Sequence, residues 1–242
     1  MNLAALVRGT LAAAALGAAA PLAGCESAPV VAPPRAAFEV IGSSPATADL
    51  SVDAATLEPV VAGTSRWQVV GGGEVAVTTA TTPDGATRTE PRSVRTLGRA
   101  ADGGVLLEAQ TDAADGSTTR FDPPIVLAPG VLRAGEEPAS GAAVITERGE
   151  MRDREGSAQR SLRIAAIDRV RTPLGEFDAI RVDSVFSMKM KYASLRRESS
   201  TWVRAGTGPV AVRSEERILV MGVVPRRTSE TRVLLPSAGG VP

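Results

Sequence analysis

The sequence has no histidine, one cysteine (Cys25), one asparagine (Asn2) and, among 242 residues, only two Trp, one Tyr and four Phe. Without histidine, the commonest general base and the commonest zinc ligand are missing. Histidine-based triads, Cys–His dyads and His-ligated zinc hydrolases are therefore excluded. A lone cysteine makes no internal disulfide and no thiolate metal cage. A single asparagine at position 2 leaves no internal N-glycosylation acceptor. Lysine is also scarce: only Lys189 and Lys191 stand among the 27 basic side chains, which balance 27 acidic ones. That balance gives no broad positive field, so no nucleic-acid partner is expected.

What is present begins with an address. Residues 1–24 carry one charge, Arg8, followed by an apolar run from Thr10 to Ala20 that is too short to span a membrane as a helix. Leu22-Ala23-Gly24-Cys25 resembles the lipobox of bacterial lipoproteins, in which the cysteine is acylated after the signal is cleaved before it. The resemblance implies a membrane partner reached through lipidated Cys25. Two or three acyl chains, at about 0.8 kcal/mol per buried CH₂, anchor a protein firmly. Glu26, in place of Asp after the cysteine, points by the same resemblance to the outer membrane facing the periplasm. Cleavage removes Arg8 and leaves 26 basic against 27 acidic groups, a formal charge of −1.

Residues 25–56 read as an acylated cysteine and a flexible tether, rich in Ala, Pro and Ser. A disordered tether of that length has a coil dimension of about 30 Å. Phe38-Glu39-Val40-Ile41 reads either as part of it or as a short edge strand. Residues 57–236 read as one antiparallel β domain and 237–242 as a tail. Helical periodicity never persists in this domain, and Gly, Pro and Asp recur at short intervals. Pro83-Asp84-Gly85, Asp102-Gly103-Gly104, Asp115-Gly116 and Leu174-Gly175 read as tight turns. Arg133–Gly141 reads as a divider between two halves of one sheet. Asp53-Ala54-Ala55-Thr56-Leu57 is a candidate for one short helix.

The clearest strand runs from Ile180 to Tyr192. Its alternate residues Ile180, Val182, Ser184, Phe186, Met188, Met190 and Tyr192 share one face, and the mostly polar Arg181, Asp183, Val185, Ser187, Lys189 and Lys191 lie on the other. At about 40 Å it exceeds an ordinary sandwich strand and is expected to bend around something. Flexible thioethers beside aromatics suit surfaces that accept variable apolar partners. Phe186, Met188, Met190 and Tyr192, with Trp202, are therefore the candidate ligand-binding residues. The competing reading packs the stripe under a covering layer of the protein itself.

Three motifs occur in order: Pro59…Gly63…Trp67, then Thr172-Pro173-Leu174-Gly175-Glu176-Phe177-Asp178-Ala179, then Trp202…Gly206…Gly208…Val210. Together they resemble the TapB-like family of bacterial lipoproteins, departing from it at Val69 and Arg204. The resemblance implies a long curved antiparallel sheet or half-barrel akin to the LolA/LolB lipoprotein carriers, able to hold an apolar ligand. The expected fold class is thus all-β, with at most one or two short helices.

No G-x-S-x-G nucleophile elbow, S-x-x-K or phosphate-binding glycine loop occurs. Ser187 and Lys189 lie on the strand's polar face. Glu136-Glu137 reads as a loop charge cluster without a ligand ladder. Glu147…Glu150…Asp153…Glu155, alternating with Arg148, Arg152 and Arg154, and Glu215-Glu216, between Arg213 and Arg217, read as surface ion pairing. No catalytic residue, metal or cofactor is expected. The sequence predicts a non-catalytic, lipid-anchored protein of the cell envelope that binds an apolar ligand or a protein partner's segment. The alternative is a structural accessory that acts as a docking spacer.

Overall fold

Short turns join almost every strand to the next, so neighbours in sequence become antiparallel neighbours in space. The computed structural model describes residues 37–82, 85–149, 151–221 and 224–236. The signal-like segment, Cys25 and the tail from 237 lie outside the described residues. The first elements are β1 (Glu39–Pro45), β2 (Ser51–Asp53), α1 (Ala54–Leu57), β3 (Gly63–Val69), β4 (Glu74–Thr82) and β5 (Gly85–Glu90). They are followed by β6 (Ser93–Arg99), β7 (Val105–Asp112), β8 (Thr118–Ala128), β9 (Val131–Arg133) and β10 (Ala139–Arg148). Five long strands complete the order: β11 (Met151–Thr172), β12 (Gly175–Met190), β13 (Ala193–Arg204), β14 (Gly208–Val220) and β15 (Val224–Leu234).

The protein is all-β, and its curved sheet closes on itself. Twelve strands, β3–β8 and β10–β15, form an antiparallel ring. One seam is the short pairing of Arg232–Leu234 with Trp67–Val69, and the other is the full-length pairing of β11 with β12. The opposite edge of β11 is shared: its first half pairs with β10, and its second half takes β1. Residues 133–141 do not divide the sheet as their composition suggests. They carry the end of β9 and lead into β10, which pairs directly with β8. Gly175, which opens β12 after its turn from β11, has φ of +106°, and Gly208, which opens β14 after its turn from β13, has φ of +89°. Both conformations favour glycine.

The inward face is identified by one cluster that gathers residues from eight strands of the ring. Ala86, Leu97, Leu107, Ile125, Val144, Leu162, Val182 and Val203 meet Val52, Leu57 and Leu132 there. These last three belong to β2, α1 and β9, which form a small plug. Asp53 caps α1 by accepting from the Thr56 amide at 2.6 Å. The short helix is where the sequence suggests. The assignment of residues 25–56 to a tether is corrected for its second half, because β1, β2 and most of α1 fall within it. The Pro/Ala/Ser texture conceals them: Val52 and Ala54 are buried by long-range contacts that local composition does not record.

A register shift between Ile164 and Ala166 reverses the alternation of β11. Leu162 and Ile164 therefore point inward, whereas Asp168 and Val170 lie on the outer face with Trp202, Ala211 and Val233 in a second buried cluster. Elsewhere the outer face is charged, with ion pairs such as Arg66–Glu74, Arg120–Glu147 and Arg196–Glu198. Among the described residues no helix is long and apolar enough to cross a membrane.

Candidate functional site

Direct cross-strand partners lie on the same face of a sheet, which fixes where each candidate points. On β12, Val182, Ser184, Phe186 and Met188 share the inward face, as the period-two stripe predicts. Phe186 packs edge-on to Phe121 of β8, with ring centroids 6.3 Å apart. Met188 packs against the same inner cluster. Met190 is the last residue of β12 and is half-buried. Tyr192 leaves the stripe: it sits in the turn, exposed, with the Lys191 ammonium 5.1 Å from its ring. Trp202 does not join these residues. It is paired with Arg181 on the outer face.

Trp202 belongs instead to a knot around Asp168, a fully buried carboxylate. The indole Nε1 of Trp202 donates to Asp168 Oδ2 at 2.8 Å, and Arg181 Nη1 donates to the same oxygen at 3.2 Å. Ser43 Oγ, on β1, donates to Oδ1 at 2.6 Å. Phe38 stacks edge-on to the indole at 4.6 Å, and the Arg213 guanidinium lies over both rings. Every partner of Asp168 is a donor, so this buried charge is fully answered. The knot fastens β1 to the ring.

The inner face also holds what the sequence hides, a layer of charge. A row crosses four strands: Arg160 of β11, Phe186 of β12, Arg197 of β13 and Glu216 of β14 are successive direct partners. A second row, Arg88, Arg95 and Gln110, crosses β5 to β7. Two arginines directly opposite repel unless acids intervene. Here Glu58, just after α1, takes Arg88 at 2.6 Å, and Glu90 takes Arg95 at 3.3 Å. Glu90 also reaches Arg232 of β15 at 3.0 Å, spanning β3 and β4, and Glu230 bonds the other side of Arg232. Arg197 donates to Glu216 through Nε at 2.9 Å.

Burial opposes the ionised form of Glu90, but Arg95, Arg232 and Arg88 outweigh it and hold its carboxyl below the ordinary glutamate range. Desolvation likewise opposes Arg232, whose bonds to Glu230 and Glu90 prevail and raise it. Arg160 differs. No carboxylate among the described residues pairs with it, and its shielded Nε has no hydrogen-bond partner. Desolvation, with Arg95 and Arg197 nearby, pulls its pKa down to about 10 against the opposing pull of Glu58. Among the described residues, the layer thus sets Arg88, Arg95, Arg160, Arg197 and Arg232 against Glu58, Glu90, Glu216 and Glu230, which leaves one positive charge over.

Glu215-Glu216, read from sequence as a surface pair, divides between the faces. Glu215 binds Arg217 and Arg227 outside, and Glu216 binds Arg197 inside. Among the described residues a shallow groove of about 450 Å³ crosses β10–β13, bordered by Gln159, Arg160, Ser161, Val185, Ser187 and Arg196. Among the described residues no group of three His, Cys, Asp or Glu is placed to hold a metal ion.

The fold and the site together define a closed antiparallel β-barrel, plugged by β2, α1 and β9, with apolar and charged layers inside. No family model, curated protein or solved structure matches the chain.

Proposed function

We propose that this protein is a non-catalytic binding module, tethered to a membrane through acylated Cys25, whose barrel interior takes the apolar part of a ligand. The observation that carries this reading is the inward stripe of Phe186 and Met188, which meets Phe121 next to the charged layer. Adaptable thioether and aromatic surface beside fixed polar groups is the usual composition of a small-molecule site. The lipobox resemblance supplies the tether, and Glu26 favours the outer membrane. The TapB-like motifs agree with a carrier-like curved sheet. Mass spectrometry of solvent-extracted native protein tests the reading. A co-purified lipid or acyl compound, lost on Phe186→Trp and Met188→Trp substitution, is the expected result. A ligand-free protein whose Phe186 and Met188 are insensitive to substitution would end it.

One observation favours a second reading, a docking spacer. The turn after β14 lies against the turn after β12, where the Met221 amide donates to the Tyr192 carbonyl at 2.7 Å. Tyr192, Leu219, Val220 and Met221 are all exposed there. Crosslinking from these tips to one stoichiometric envelope protein would support docking. A partner-free result would leave the ligand reading in place.

A further inference from the structure

A buried polar atom without a partner needs a reason, because leaving it unsatisfied costs about 1–3 kcal/mol. Among the described residues, five shielded side-chain atoms lack a hydrogen-bond partner: the Nε atoms of Arg88, Arg95, Arg160 and Arg181, and Thr146 Oγ1. Arg181 is on the outer face, beside Asp168. The other four face inward. Arg160 pairs across the sheet with Phe186 and Arg88 with Arg95, and Thr146 pairs through Thr119 with Gln110, the partner of Arg95. Three of these inward donors gather where the acids are already committed: Arg88 and Arg95 are paired with Glu58 and Glu90, and Arg160 lies near Arg95.

Within the charged layer Arg88, Arg95, Arg197 and Arg232 each have a carboxylate. Arg160 has none, although Arg95 and Arg197 lie near enough to disfavour its charge. A guanidinium cannot escape the cost of burial by losing its proton near neutral pH. What lowers that cost is an oxyanion, whose oxygens accept from the fork of the guanidinium. From the unpaired Arg160 and the donors around it, we infer that the barrel interior binds an oxyanion, a phosphate or a carboxylate, with Arg160 as its principal contact. Arg95 and Arg197 add to the attraction without being neutralised by it, since each keeps its own glutamate. Phe186 stands between Arg160 and Arg197 in the same row, so an apolar chain attached to the anion would continue over Phe186 and Met188. The anion site stands on the arginine geometry. That the anion is the head group of an amphiphile rests on the proposed apolar-ligand reading.

The test is thermal unfolding of the full chain in sodium phosphate at constant ionic strength, for the wild type, Arg160→Met and Arg196→Met. Arg196 points outward into the groove that Arg160 also borders, so its loss tests whether phosphate is held from the outer side instead. Phosphate should raise the melting temperature of the wild type and of Arg196→Met and leave Arg160→Met unmoved. Without phosphate, Arg160→Met should melt at or above the wild type, because it removes an uncompensated charge. An equal phosphate response in Arg160→Met, a response lost in Arg196→Met instead, or none in the wild type overturns the site. If Arg160→Met fails to fold, Arg160→Lys keeps the charge and loses the fork. A weakened response then supports the site, and a full one overturns it.

Dodecyl phosphate and dodecanol separate the two sources of the anion. The wild type should bind dodecyl phosphate about tenfold or more tightly than Arg160→Met does, as expected for charge-assisted hydrogen bonds. Dodecanol should bind both alike. Dodecanol binding without any phosphate effect removes the anion site and keeps the apolar-ligand reading. Phosphate binding without dodecyl phosphate binding keeps the site and removes that reading.

Discussion

Asp168 and Arg160 lie eight residues apart on β11, the first fully buried and the second half-buried with a shielded Nε, and the protein treats them oppositely. Asp168 on the outer face accepts from Ser43, Arg181 and Trp202, so its charge is spent on holding β1 and β13 to β11. Arg160 on the inner face has a shielded Nε without a partner and no carboxylate paired with it among the described residues. A buried charge that is fully bonded fixes structure. One left unbonded costs stability and stays available to something else, which is a frequent mark of a functional site.

That contrast breaks first at Trp202. Trp202→Ala removes a nearly fully buried indole and one donor to Asp168. It should cost about 4 kcal/mol, measured by chemical denaturation of the full chain. Asp168→Ala should cost about 3 kcal/mol, because three donors lose one shared acceptor in a buried place. Asp168→Asn, which keeps a carbonyl oxygen, should cost less. Arg160→Met should move the other way, from no change to a gain of about 1 kcal/mol, as when buried charge is replaced by apolar volume. A loss comparable to that of Asp168→Ala would make Arg160 structural and remove the distinction.

Acid titration sharpens the comparison within the inner layer. The folded-state pKa of Glu90 is depressed, so its contribution to stability is present above the ordinary glutamate value of 4.5. That contribution is lost as pH falls through the lower folded value. Glu90→Gln should therefore flatten the acid limb of stability against pH and leave the neutral-to-alkaline profile shape unchanged. The smallest effect belongs to the exposed Arg66–Glu74 pair. Arg66→Ala should leave the unfolding midpoint unchanged within error, since water already screens both charges.

Much of this molecule is legible from local chemistry. The turn glycines, the period-two stripe through Phe186 and Met188 and the capped helix at Asp53 follow from neighbours in sequence. Three features do not. Ring closure depends on pairing Trp67–Val69 with Arg232–Leu234, far apart in the chain. Val52 and Ala54 lie in a Pro/Ala/Ser-rich stretch and become core only because Leu132 and the inner wall of the ring meet them. The inward arginines are the most hidden. Arg88 alternates with Thr87 and Thr89, and Arg160 stands between Gln159 and Ser161, so each reads as a solvated position. Only the closed ring turns one polar face inward. Trp202 shows the reverse: an aromatic near the stripe in sequence lies on the other side of the sheet, bonded to a carboxylate on β11.

The most direct measurement is a crystal structure of the full chain grown with dodecyl phosphate. The account predicts the phosphate inside the barrel, within hydrogen-bond distance of the Arg160 guanidinium, with its chain over Phe186 and Met188. A chain bound only from the outer side beside Arg196, or an interior with Arg160 still unpaired at saturating ligand, would contradict it.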